Sequence, residues 1–551
     1  MKKIKVEEID WISRLPDSIL NYIFSFLPFK EAVQTCVLSK RWEELWLSHP
    51  VLEFDRSLFD GGLRDPLRSN NYNMETNKEY RWRAKELFSA LVRNLRKRRK
   101  GKETLFPLKK LALEMDFFND FQLKSLLDRC ISYAVGCNVK ELKLIFNCSS
   151  TYLWYNPRQV IFSANSIEVL ELKGWKLELP RRSKVMLSSL RKLILIGVYA
   201  GDYMMKNLVD GCPLIETLSF SACSGFKSVD VSGLSKLNEV KLTDNHQLEK
   251  LVIEESNVHI LSIGGPARPH DISSGFCRDL ISLSLSDIPN GWISSAICEN
   301  LTSLSLSNVS KINKWLYYQI SKLPFLEYLS IDKCSISSLE ISSQSLKTLM
   351  ILGCSALVGL RINTPNLHIF EYRGGIVFFS IDVLALSKFS LHLCCPRVES
   401  RWYLHEYGFF EPTQWYIKYV EFLAKLNDFS DVLQLQFEMG EDAIVPPVMR
   451  KVLSSPILTD VKHLNLRLDT FPMCWSITKL ADSLLWLAPH TRNVSIRYGV
   501  LDESTFKHCI EEVKLDITDE YYQGETNSKS YILKGVDIMM QIDALCGDAV
   551  F

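Results

Sequence analysis

Imidazole, thiol and paired carboxylate groups carry most acid–base, nucleophilic and metal chemistry near neutral pH. The chain has 10 histidines and 15 cysteines. His246, His259 and His270 fall in one part of the sequence. No histidine, however, has a second ligand at H-x-x-x-H or H-E-x-x-H spacing, and no two cysteines stand as C-x-x-C, so no zinc site is spelled out. Scattered structural or exposed histidines are the better reading, and the cysteines, set in apolar patterns, read as reduced and buried. The glycines of "SIGGPARPHDISSG" lack the G-x-x-x-x-G-K-[ST] order that cradles phosphate, and there is no nucleophile elbow or kinase motif set. Neither a catalytic site, nor a metal, nor a cofactor is expected.

Charge points the same way. Lysine plus arginine (65) balances aspartate plus glutamate (64) to leave +1, which removes the long-range pull of a general nucleic-acid binder. No run approaches the ~18 uninterrupted apolar residues of a membrane span. The start, "MKKIKVEEIDW", alternates charged and apolar residues instead of forming a secretory signal. The expectation is a protein of the cytoplasm and/or nucleus, with no nucleic acid and no membrane among its partners. The densest basic run, "RNLRKRRKGK" from Arg93 to Lys102, reads either as an import signal or as the cationic end of an amphipathic helix starting near Lys78; both readings stay open. "DGGLRDPLRSNNYNMETN", from Asp60, reads as a polar loop.

With no reaction centre to position, the elements themselves carry the information. A chain of 551 residues exceeds one compact core, and from residue 108 a single pattern, L-x-x-L-x-L, keeps returning. It appears as "LKKLAL", "VKELKL", "IEVLEL", "LRKLIL", "LISLSL", "LTSLSL" and "LKTLMILGC" among others. Its central position falls at Leu111, Leu142, Leu170, Leu193, Leu218, Val240, Leu261, Leu283, Leu304, Leu329, Leu349 and Phe370. Steps of about 20–30 residues are those of leucine-rich repeats, in which each unit buries its apolar side only against its neighbours. Longer steps contain helical runs ("YMMKNLVDGCP", "KWLYYQISKLP"); shorter ones contain second strands ("FKSVDVSG", "LEKLVIEES", "SSLEISS", "LVGLRINTP"). The expected fold class is α/β: a three-helix N-terminal module, then a curved repeat solenoid with a parallel inner sheet and an outer wall mixing helices and strands.

That N-terminal module is "ISRLPDSILNYIFSFLPFKEAVQTCVLSKRWEELW". Pro16 and Asp17 open a first helix, Pro28 ends it, "KEAVQTCVL" supplies a second, and Ser39 caps a third containing Trp42, Leu45 and Trp46. It has more apolar residues than three short helices can hide among themselves. In order and spacing it resembles the F-box of plant F-box proteins with leucine-rich repeats. The resemblance implies an F-box at 10–50, a linker at 51–104, a solenoid at 105–500 and a C-terminal tail at 501–551. It further implies docking on a Skp-type adaptor, and through it a cullin, by Leu15, Pro16, Leu20, Ile23, Leu27, Val33, Val37, Leu38 and Trp42. The repeats would then hold an unidentified protein substrate for ubiquitination, the chain itself being no enzyme. A capping role for the module, a non-degradative repeat scaffold and a ligand-dependent receptor of hormone-receptor type remain as alternatives.

Between the two inward apolar residues of each strand, one residue faces the inner side. In order these are Lys143, Glu171, Ile194, Ser219, Lys241, Ser262, Ser284, Ser305, Ser330, Met350 and Glu371, a row whose middle is serine. Serine admits another backbone closely; equally, it relieves crowding between strands. Candidate substrate contacts are Lys241, Ser262, Ser284, Ser305, Tyr328, Ser330, Glu371 and Arg373.

Overall fold

The structure, a computed structural model, describes residues 12–54, 78–99, 108–147, 159–393, 412–498 and 511–516, with breaks of one to eleven residues inside those ranges. The polar stretch from Asp60, the end of the basic run past Arg99, His270 and most of the C-terminal tail lie outside the described residues. The chain divides into two compact units, Met1–Asp279 and Leu280–Phe551.

In the first unit, strands Lys110–Asp116, Glu141–Asn147, Val169–Lys173, Lys192–Ile196, Thr217–Ser221, Glu239–Thr243 and Ile260–Gly264 pair in parallel, each with the next. The register places Leu111, Leu142, Leu170, Leu193, Leu218, Val240 and Leu261 side by side, and all seven are buried. One strand was not expected: Val51–Phe54, inside the expected linker, joins the sheet in parallel with Lys110–Asp116. Its four residues are too few to show a period, and no second L-x-L precedes them.

The second unit repeats the arrangement from Ser282–Ser286 through Ser303–Ser307, Tyr328–Asp332, Thr348–Leu352, Ile369–Gly374, Lys388–Leu393, Val432–Phe437 and His463–Leu468 to Asn493–Tyr498. The tail then contributes Glu511–Asp516, which adds antiparallel to the last of these. Leu304 is 1% exposed, as an inward position requires, whereas Leu283 on the unit's first strand is only half-buried.

Two features of the turn after each inner strand explain how so short a repeat closes. Four residues past nine of the twelve central positions the backbone is left-handed: Gly174, Gly197, Ala222, Asp244 and Gly265 in the first unit, and Asp287, Asn308, Lys333 and Gly353 in the second, with φ between 48° and 100°. Glycine, asparagine and aspartate suit this conformation, since a Cβ there crowds the following carbonyl. One residue after five of these turns a side-chain donor reaches back to a carbonyl of the preceding strand. The Trp175 indole donates to Leu144 at 2.9 Å, the Asn245 amide to Phe220 at 2.9 Å, and the thiols of Cys223, Cys334 and Cys354 to Leu195, Leu306 and Ile331 at 3.4, 3.6 and 3.9 Å. Burial pushes Cys223 and Cys334 up to about 11, and Cys130 and Cys212 up to about 12, so these thiols stay protonated and inert.

The outer wall mixes helix and strand as the step lengths require. Helices Phe121–Gly136, Asp202–Asp210 and Asn313–Ile320 back the longer repeats; Ser228–Asp230 pairs with Lys250–Val252, and Ser338–Ser342 with Gly359–Asn363, behind the shorter ones. The strand Phe378–Asp382 adds to the latter pair and was not expected. Helices Pro412–Ala424, Pro447–Val452 and Ser476–Leu487 separate the last strands. The basic run falls, up to Arg99, at the end of the helix Lys78–Arg99, whose Phe88, Leu91, Val92 and Leu95 are buried.

Candidate partner-binding surfaces

The N-terminal module consists of α1 (Asp17–Phe24), α2 (Phe29–Gln34) with a 3₁₀ turn at Thr35–Val37, and α3 (Lys40–Ser48). Ser39 is the extended N-cap of α3, its hydroxyl accepting from the Trp42 amide at 3.4 Å. Arg41 ties α3 to the entry of α1, donating to the Leu15 carbonyl at 2.5 Å and to the Asp17 carboxylate at 2.6 Å. Leu20, Phe24, Ala32, Trp42, Leu45 and Trp46 fill the interior, with the Phe24 and Trp42 rings 5.3 Å apart.

With that core closed, a second apolar set remains outside. Val37 is 87% exposed and Phe26 69%; Ile12, Ile19, Tyr22, Ile23 and Leu38 are also exposed, and the Tyr22 and Phe26 rings meet edge to face at 4.8 Å. Of the residues expected to dock an adaptor, Ile23, Val37, Leu38 and Pro16 are exposed, and Leu15 and Leu27 are half-buried. Leu20 and Trp42 are corrected to the interior, at 0% and 7% exposure. Helical spacing marks both faces of a short helix as apolar without telling which one turns inward. The side chain of Val33 lies outside the described residues. Tyr22 and Phe26, which the sequence reading passed over, are neighbours at i and i+4 on the outer face.

The inner face of each sheet forms the other surface. On the first strands of the first unit it is a charge ladder: Lys110 meets Glu53 at 2.6 Å and Glu141 at 3.4 Å, and Lys143 meets Glu171 at 2.8 Å. The Glu53 hydrogen bond holds Lys110 above its ordinary value despite partial burial. Lys241 and Ser262, exposed and half-buried, are register partners here. In the second unit Ser284, Ser305 and Ser330 stand side by side, followed by Met350 and Glu371. Ser284 and Ser305 are half-buried while Ser330 is buried; Tyr328, half-buried, points its hydroxyl at the Met350 sulfur, 3.1 Å away. Glu371 is half-buried and Arg373 exposed. The same row runs on through Ser390, Gln434, Asn465 and Ser495, which the sequence reading did not single out because longer, less regular steps separate those strands. Among the described residues no three His, Cys, Asp or Glu side chains are grouped to hold a metal ion, and no helix is long and apolar enough to cross a membrane.

A small helical module with an unfilled apolar face, followed by parallel repeats of this step, defines an F-box protein with leucine-rich repeats. The F-box domain family matches residues 12–54, and the family described as "At1g61320/AtMIF1, LRR domain" matches residues 102–290 and 291–401, more than half of the chain. The chain belongs to this F-box and leucine-rich-repeat family. It is 29% identical over 289 residues to the F-box/FBD/LRR-repeat protein At1g78750 of Arabidopsis thaliana, covering 51% of this chain and 57% of that one. It is 31% identical over 221 residues to the F-box/LRR-repeat protein At1g06630 of the same plant, covering 39% and 49% respectively. The chain spans about half the length of the curated relatives it matches.

Proposed function

We propose that the chain is the substrate-recognition subunit of a Skp–cullin–F-box ubiquitin ligase. The F-box docks a Skp-type adaptor, the adaptor bridges to the cullin, and the inner face of the repeats holds the protein to be ubiquitinated. The chain itself contributes binding and no catalysis, and it acts in the cytoplasm and/or nucleus. One observation carries this reading: the exposed set Ile19, Tyr22, Ile23, Phe26, Val37 and Leu38 surrounds a core that is already complete. Each such side chain removed from water by a partner contributes about 1.5–3 kcal/mol, so six of them on one small module mark a surface made to be covered.

The test is co-purification of the full chain with a Skp-type adaptor. Val37→Asp combined with Phe26→Ala changes only exposed positions, so it should abolish capture while leaving the thermal unfolding profile unchanged. Undiminished capture by this variant would overturn the docking assignment.

A further inference from the structure

Wherever lysine or arginine recurs at matching positions of neighbouring repeats, a carboxylate one strand away usually answers it. Lys110 has Glu53 and Glu141, Lys143 has Glu171, Lys140 has Glu168, Arg191 has Glu216, and Lys347 has Glu327. On the later strands of the second unit this answering stops. Arg373 and Lys388 are exposed and Arg467 half-buried, all three on the inner face, and among the described residues none has an ion-pair partner. The register sets Arg373, His392, Gln436, Arg467 and Arg497 on one line across five parallel strands. Glu371, Ser390, Gln434, Asn465 and Ser495 form the line beside it. One carboxylate tempers this field, Glu371 in the second line, and the register pairs Arg497 with Glu512 across the antiparallel edge. Among the described side chains the unanswered charge on this line rests on Arg373 and Arg467, three strands apart, with Lys388 on the opposite margin.

Resting on the reading of the inner face as the substrate surface, we infer that this half of it receives an acidic, extended segment of the partner polypeptide, lying across the strands. The guanidinium groups of Arg373 and Arg467 each grip a carboxylate or phosphoryl group in forked hydrogen bonds. The carboxamides of Gln434 and Asn465 in the neighbouring line, each both donor and acceptor, suit the main chain of that segment. Geometry sets the spacing. Strands ~4.8 Å apart put the two arginines roughly 14 Å from each other, and an extended peptide advancing ~3.4 Å per residue covers that in about four residues, an even number that keeps both acidic side chains on one face. The recognised segment carries acidic residues at i and i+4.

Fluorescein-labelled nine-residue peptides test this by anisotropy against the full chain. In each, glycine and serine alternate around two glutamates at i and i+4, two adjacent glutamates, two phosphoserines at i and i+4, or two lysines at i and i+4. The i, i+4 acidic peptides should bind more tightly than the adjacent pair, and the lysine peptide should not bind. Arg373→Glu with Arg467→Glu should weaken binding by about tenfold or more, while Lys236→Glu, at an exposed lysine on no inner strand, should change nothing. The ratio of phosphoserine to glutamate binding tells which acid is read. No binding of any acidic peptide, equal binding of the lysine peptide, unchanged affinity after the double reversal, or displacement by inorganic triphosphate at equal charge would each overturn the inference. Adaptor capture, scored on the same preparations, separates the two readings. Its loss in the unaltered chain sinks the ligase proposal alone, whereas unchanged peptide affinity with capture retained sinks this one alone.

Discussion

Asn245 is 1% exposed, and it closes two hydrogen bonds to the preceding repeat. Its carbonyl oxygen accepts from the Cys223 amide at 3.0 Å, and its amide donates to the Phe220 carbonyl at 2.9 Å. Asn245→Ala leaves a buried donor and a buried acceptor unpaired. At about 1–3 kcal/mol for each orphaned group, the loss should be roughly 2–6 kcal/mol. Asn245→Cys places there the residue that Cys223, Cys334 and Cys354 supply at the matching position of other repeats. It keeps a donor for Phe220 and loses only the acceptor, so about half that cost is expected. Asn245→Asp keeps the acceptor but buries a charge against a carbonyl and should be the worst of the three. Urea unfolding gives the ranking, and hydrogen exchange at the Cys223 amide reports the site directly, exchange being fastest in the alanine variant. An alanine variant within about 0.5 kcal/mol of the parent, the scatter of an ordinary surface substitution, or an unchanged Cys223 amide would refute the assignment of these bonds as structural ties between repeats.

Leu304→Asp, at an inward position, should cost about 4 kcal/mol or more through an unpaired buried charge, and a soluble variant with unchanged unfolding would refute the register. At Gly265 an added Cβ would lie 2.6 Å from the Asp244 backbone with φ +100°, whereas at Gly197 it meets nothing within 4 Å. Gly265→Ala should therefore destabilise well beyond the ~1–2 kcal/mol left-handed penalty that Gly197→Ala incurs, as comparison of the two urea midpoints will show. Burial raises the thiols of Cys130, Cys212, Cys223 and Cys334 from 9.0 to about 11–12. Above pH 9 the unfolded chain therefore sheds protons that the folded chain keeps. Stability should not respond to these groups below that pH and should fall as pH rises from 9 toward 12, with the four thiols unreactive to iodoacetamide at pH 8 until the chain is unfolded.

The inner strands were legible because two leucines spaced two apart, recurring at a near-constant step, admit one arrangement that buries them all. The outer wall followed from the length of each step. The left-handed turns were written in the same stretches, as Gly174, Gly197, Gly265 and Gly353 with Asp244, Asp287 and Asn308, but Ala222 and Lys333 interrupt the signal and hide its period. The strand Val51–Phe54 was illegible because it acquires meaning only from its neighbour. In the F-box, the sequence marked the apolar positions but not their direction. Leu20 and Ile23 sit one turn apart on α1, one inside and one out, and only the packing of Phe24 against Trp42 decides between them. The row through Gln434 and Asn465 escaped notice because amides on irregular repeats carry no periodic mark, and Arg467 gains its interest from the absence of a neighbouring carboxylate, which no single repeat can reveal.

The side-chain ties that reach back one strand have a consequence for how such a chain can change length. Cutting out residues 329–348 would join Tyr328 to Leu349, restore an intact inner strand, and bring Cys354 over the Leu306 carbonyl that Cys334 had occupied. Nothing more distant need be re-solved, because each period is secured only to the one before it. Removal or duplication by one whole period is thus a change the architecture can absorb, while the loss of a single residue between leucine and left-handed turn is not. Each such step alters the width of the inner face by ~4.8 Å, so the length of polypeptide it can receive is quantised in the same unit.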